Sequence, residues 1–75
     1  MNADEMFAEI GYKKDIDDSG YRTIYIDDEN GAYIEFDNEI KCYKSNTYIC
    51  IEELQAINKK CEELGWLDKN IKELR

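Results

Sequence analysis

Residues 21 to 37 read Tyr21-Arg22-Thr23-Ile24-Tyr25-Ile26-Asp27-Asp28-Glu29-Asn30-Gly31-Ala32-Tyr33-Ile34-Glu35-Phe36-Asp37, and they decide the fold. The first six residues are β-branched and aromatic, and Ala32 to Asp37 alternate apolar with polar, so both runs are expected to be strands. Between them Asp27-Asp28-Glu29-Asn30-Gly31 is expected to be a hairpin turn, because Asn-Gly favours positive φ. Working outward, Asp37-Asn38-Glu39 predicts a second tight turn into a strand from Ile40 to Lys44. A further strand, Tyr12 to Ile16, precedes the turn Asp17-Asp18-Ser19-Gly20. With these boundaries the alternation sends Ile24, Ile26, Ile34, Phe36, Ile40 and Cys42 to one face of an antiparallel meander. Thr23, Tyr25, Tyr33, Glu35, Asp37, Lys41 and Tyr43 go to the other, which reads as aromatic and acidic.

Helices flank the meander. Asn2 is a good N-cap and Glu5 stands three residues on, as a capping box requires, so a helix is expected over Ala3 to Ile10 with Met6, Phe7 and Ile10 on one face. A second, longer helix follows Cys50: Leu54, Ile57, Cys61 and Leu64 recur at i, i+3, i+7 and i+10. Glu9-Ile10-Gly11-Tyr12 and Glu63-Leu64-Gly65-Trp66 are one phrase used twice. Each reads as a helix stop, with a glycine in the left-handed C′ position and an aromatic folding back on the last turn. Leu67, Ile71 and Leu74 predict either a short third helix over 68–74 or a tail ordered by a partner. The expected fold is α+β in one domain over 1–75: an N-terminal helix, three or four antiparallel strands and a C-terminal helix. Both helices are expected on the same sheet face.

At 75 residues the chain has room for one small core. A hydrophobic content of 43% with nine aromatics argues against disorder. No signal-peptide pattern or membrane-length apolar run occurs, which points to a cytoplasmic protein away from membranes. Three cysteines without a paired motif make a poor disulfide framework. On a helix Cys50 and Cys61 would stand roughly 16 Å apart, beyond bridging distance. The net charge of −8 is unevenly spread. Residues 1–40 hold twelve acids against Lys13, Lys14 and Arg22, whereas residues 41–75 are nearly neutral. Such a chain is repelled by a nucleic-acid backbone and steered towards a basic surface.

Chemistry is sparse. There is no histidine, which removes the commonest general base and a usual zinc ligand. No phosphate-binding glycine motif occurs. Asp15-Ile16-Asp17-Asp18-Ser19-Gly20 resembles the opening of a calcium loop, but Arg22 and Ile26 stand at its eighth and twelfth positions, where an apolar residue and a bidentate Glu belong. The expectation is a protein that is not an enzyme and needs no cofactor or metal. It would bind a host protein through Tyr25, Asp27, Asp28, Glu29, Tyr33, Glu35, Asp37 and Tyr43. Assembly as a homo-oligomer or structural component is the alternative, and a calcium module a weaker one.

Asp4-Glu5-Met6-Phe7-Ala8-Glu9-Ile10-Gly11-Tyr12, together with Ile51-Glu52-Glu53-Leu54-Gln55-Ala56-Ile57-Asn58-Lys59-Lys60-Cys61-Glu62-Glu63-Leu64-Gly65-Trp66, resembles small phage- and prophage-encoded proteins of Gram-positive bacteria. The resemblance covers both helices. Its pattern has Thr at the helix N-cap where this chain has Cys50. It implies no established activity. It does imply a biology in which small acidic phage proteins bind and block host machinery, including nucleic-acid-binding defence complexes.

Overall fold

The structure is a computed structural model and describes residues 1–16 and 18–67. Four strands, β1 (Lys13–Ile16), β2 (Arg22–Asp27), β3 (Ala32–Asp37) and β4 (Cys42–Ser45), form one antiparallel sheet in chain order. Helix α1 (Ala3–Glu9) precedes the sheet and α2 (Ile51–Glu63) follows it, giving the expected α+β architecture with four strands. The segment expected to form a third helix, 68–74, lies outside the described residues, as does Asp17 of the calcium-like loop.

Both helices end in the predicted glycine stop, whereas the second aromatic, Trp66, lies against Phe36 of β3 at 6.1 Å. Gly11 and Gly65 take positive φ, +100° and +78°. Gly11 N–H donates to the Ala8 carbonyl and Tyr12 N–H to that of Phe7; Gly65 and Trp66 repeat the pattern on Glu62 and Cys61. This is the Schellman closure, which satisfies carbonyls the helix leaves orphaned. The Tyr12 ring then folds back edge-on to Phe7 at 5.7 Å. At the other end of α1 the capping box is complete: Asn2 and Glu5 exchange side-chain to backbone hydrogen bonds of 2.8 and 3.0 Å.

The sheet faces differ from the expectation, and hairpin parity is the reason. A five-residue loop between Ile26 and Ala32 would place Ile24 and Ile26 beside Ile34. Instead Asp27 stays in β2 and pairs with Ala32, leaving a four-residue loop. Its carboxylate accepts the Glu29 and Asn30 backbone N–H groups and the Asn30 amide. The β3–β4 turn repeats the device: Asp37 pairs with Cys42 and accepts from Glu39 and Ile40 N–H, again around four residues. One residue of slip exchanges the faces. Tyr25 therefore pairs with Ile34, and Phe36 with both Thr23 and Tyr43. Ile24 and Ile26 move to the opposite face, Cys42 is exposed, and Ile40 stands in the turn at 64% exposure.

The core follows from that register. Tyr25, at 1% exposure, stacks on Phe7 at 4.0 Å and meets Phe36 edge-on at 5.9 Å. Ala3, Tyr12, Ala32, Ile34, Ala56 and Ile57 complete it, with both helices on this one face. A fully buried aromatic pair of this kind contributes about 0.5–1.5 kcal/mol beyond its burial. Helix α2 keeps Ile57, Cys61 and Leu64 of its expected stripe against the core but departs from it at its start. Glu53, Ala56, Ile57 and Lys60 are buried, while Leu54 is half exposed. Lys60 earns its place because its ammonium lies 5.8 Å from the centre of the Tyr25 ring, a cation–π contact.

Two stability measurements test this register. Tyr25→Ala is expected to cost about 3–5 kcal/mol in urea unfolding, whereas Ile24→Ala costs about 1 kcal/mol. Equal losses, or the reverse order, would place the wrong face in the core. Lys41, the only non-glycine described residue with positive φ, closes the β3–β4 turn at +56°. Lys41→Gly is expected to stabilise by about 0.5–1 kcal/mol, read from the same unfolding midpoints.

Candidate partner-binding site

Glu53 organises one end of the molecule. It follows the α2 N-cap, Cys50, by three residues, so its carboxylate reaches back to accept the Cys50 N–H at 2.8 Å and the Cys50 thiol at 3.0 Å. From the opposite side the Tyr12 hydroxyl donates to its other oxygen. One buried carboxylate thus joins the start of α2 to the close of α1. Burial alone would raise the Glu53 pKa, but these donors outweigh it and hold the carboxyl below its ordinary value. Burial, and then the bond to Glu53, pushes the Tyr12 hydroxyl well above its usual range.

A second tyrosine–carboxylate pair stands on the β1 side. Tyr25 donates to Asp4 at 2.6 Å, and Lys14 bridges the same carboxylate at 3.0 Å. The Tyr25 bond is the main cause that holds Asp4 below its ordinary carboxylate value.

Four segments meet at the Glu53 end. A cavity of about 220 Å³ is lined by Ile10, Tyr12, Asp27, Asn30, Cys50, Glu52 and Glu53. The β2–β3 hairpin carries Asp28 and Glu29 beside it, both exposed. The loop from β4 to α2 is tied to this end by Asn46. Its side-chain amide accepts the Tyr33 N–H and donates to the Gly31 carbonyl, both at 2.9 Å, continuing the β3–β4 ladder by one step. That loop then displays Tyr48, fully exposed, and leads into Ile51, 65% exposed. Three exposed carboxylates, Asp28, Glu29 and Glu52, therefore share one end of the molecule with a bare tyrosine and two uncovered aliphatics, Ile51 and Leu54.

The expected contact residues divide among three places. Asp28 and Glu29 are at this exposed end. Asp27 is largely buried, its carboxylate occupied in closing the turn. Tyr33, Glu35 and Asp37 lie on the uncovered sheet face, joined there by Arg22, which bridges Asp37 at 3.6 Å and Glu35 at 4.0 Å. Tyr25 and Tyr43 belong to the helix-covered face; Tyr25 is buried in the core, and Tyr43 packs at 5.9 Å from Phe36. The single aromatic, acidic sheet face expected from alternation is thus not formed. Sequence reasoning passed over Tyr48, Ile51 and Leu54. The signal available was Tyr48 itself, a large aromatic in a polar loop between two elements.

Among the described residues no three His, Cys, Asp or Glu side chains gather so as to hold a metal ion, and no helix is long and apolar enough to cross a membrane. Over the described residues the chain is an α+β protein of order α-β-β-β-β-α. Comparison with protein-family models, with curated proteins and with solved structures yields no match.

The two carboxylates contribute to the acid limb of stability. Both Asp4 and Glu53 have folded pKa values below their ordinary 3.8 and 4.5, so their stabilisation is complete above those values and is lost as pH falls through the lower folded values. Glu53→Gln is expected to flatten the fall of melting temperature below about pH 4.5 as well as lowering stability near neutrality. An acid limb of unchanged slope would show that Glu53 is not held as described.

Proposed function

We propose that the chain is a non-catalytic protein-binding module that docks on a basic protein surface through its Glu53 end. Its sharpest form is a phage-encoded inhibitor of a host protein, such as a nucleic-acid-binding defence complex, with carboxylates occupying sites that phosphates otherwise fill. The observation that carries the reading is the joint exposure of Asp28, Glu29 and Glu52 with Tyr48, Ile51 and Leu54 at one end of the fold. Protein interfaces combine aromatic and aliphatic anchors with a charged rim, and a tyrosine on a short tethered loop loses little freedom on docking. The chain's −8 charge steers it towards a basic partner. The resemblance of both helices to phage and prophage proteins supports the biological setting.

The rest of the chemistry speaks against catalysis. Without histidine, a cysteine nucleophile needs another means of forming thiolate. The bond from its thiol to Glu53 raises the Cys50 pKa, and burial raises that of Cys61. Both move away from a reactive state.

Affinity capture from a Gram-positive host lysate, at low and high salt, tests the reading with two baits side by side. The native protein is expected to retain a partner that elutes with salt. A bait carrying Asp28→Asn, Glu29→Gln and Glu52→Gln is expected to lose it, and Tyr48→Ala to weaken it by about tenfold or more in a binding titration. A partner held equally by native and neutralised baits would contradict the proposal.

A further inference from the structure

The uncovered sheet face carries charges that the sequence total conceals. Strand register sets them in rows: Asp15, Ile24, Glu35 and Lys44 in one, Lys13, Ile26 and Tyr33 in the row before it, Arg22, Asp37 and Cys42 in the row after. Among the described residues three acids and three bases balance on this face, in a chain whose net charge is −8. At its centre Ile24, Ile26 and Tyr33 line an open depression. Two copies of a strongly acidic chain repel one another over most of their surfaces, and this neutral, apolar-centred face is where they would not.

The arrangement is also self-complementary. Consider a two-fold axis parallel to the strands, between β2 and β3, with two sheets packed face to face at the usual ~10 Å. The operation exchanges β1 with β4 and β2 with β3 while keeping each row in place. Asp15 then opposes Lys44 of a second copy, Arg22 opposes Asp37, and Ile26 opposes Tyr33. The Arg22–Glu35–Asp37 clusters of the two copies merge into one network. Glu35 comes opposite Ile24, its carboxylate turned to Arg22 of its own chain. A two-fold axis across the strands instead sets Glu35 against Glu35 and Ile26 against Arg22, so the first alignment is the one the charges select.

We propose that this face is the seam of an isologous homodimer, with Asp15–Lys44 and Arg22–Asp37 pairs across it. The seam leaves both Glu53 ends free, so the dimer would present two copies of the surface proposed above for a foreign partner. Two six-residue and two four-residue strands, at ~4.8 Å spacing and ~3.3 Å per residue, give a footprint of about 320 Å² per copy. That is about 640 Å² for the pair, below the span of standard stable interfaces, so the dimer is expected to be weak and reversible, forming towards the millimolar end of the concentration range.

Sedimentation velocity across micromolar to millimolar concentrations tests the seam, with circular dichroism and melting temperature as checks that each variant folds. The native chain is expected to dimerise reversibly. Asp15→Lys and Lys44→Asp are each expected to weaken the dimer by about tenfold, and the double variant to restore it. Asp15→Lys makes the chain less negative, so relief of general repulsion alone would strengthen association; the seam requires the opposite. A chain monomeric at all concentrations would overturn the proposal. So would a dimer indifferent to both single changes, or one that the double change fails to restore.

Discussion

Asp27 pairs with Ala32, and its carboxylate gathers two backbone N–H groups of the four-residue loop between them. Because an aspartate can close the turn from inside the strand, β2 is one residue longer than its apolar content suggests. Because strand side chains alternate with period two, that one residue decides which face is core. Asp37 repeats the arrangement at the next hairpin, so β4 inherits the same parity. The stack of Phe7 on Tyr25, the burial of Ile34 and Phe36, and the neutral face behind them all follow from these two turns. Ile24 and Ile26 become a surface in consequence.

Most of the architecture was legible in the sequence, and what was lost was lost at those turns. The capping box at Asn2 and Glu5, the paired glycine stops and the strands around Asn30-Gly31 each rest on local chemistry that a short window contains. Loop parity does not: whether Asp27 ends the strand or begins the turn depends on a side-chain hydrogen bond that alternation cannot see. The departure at the start of α2 was hidden for a related reason. Leu54 fits the apolar period better than Glu53 or Lys60. The buried partners of those two, the Tyr12 hydroxyl and the Tyr25 ring, come from residues more than thirty positions away. The candidate site suffered most, because its expected tyrosines were placed by alternation. Asp28 and Glu29 were identified because a hairpin tip is exposed whatever the parity.

Glu53 and Asp4 show how a domain this small anchors its helices without disulfides or a metal among the described residues. Each carboxylate accepts a tyrosine hydroxyl from another element, Tyr12 to Glu53 and Tyr25 to Asp4. Charge-assisted bonds of this kind are the stronger class, and their loss would leave a buried polar group unsatisfied. They lock the two helices in position over one sheet face and leave the other face, with Ile24 and Ile26, uncovered. The division of labour proposed for the surface follows: the acidic Glu53 end for a foreign partner, the neutral sheet face for a second copy.

All of this depends on Tyr25 facing the helices. Nuclear Overhauser contacts in the dilute, monomeric protein measure that directly. The account predicts contacts from the Tyr25 ring to the Phe7 ring and the Ile34 methyls, with none between Phe7 and the methyls of Ile24 or Ile26. Contacts from Ile24 or Ile26 to Phe7, with the Tyr25 ring free of them, would contradict the register and everything built on it.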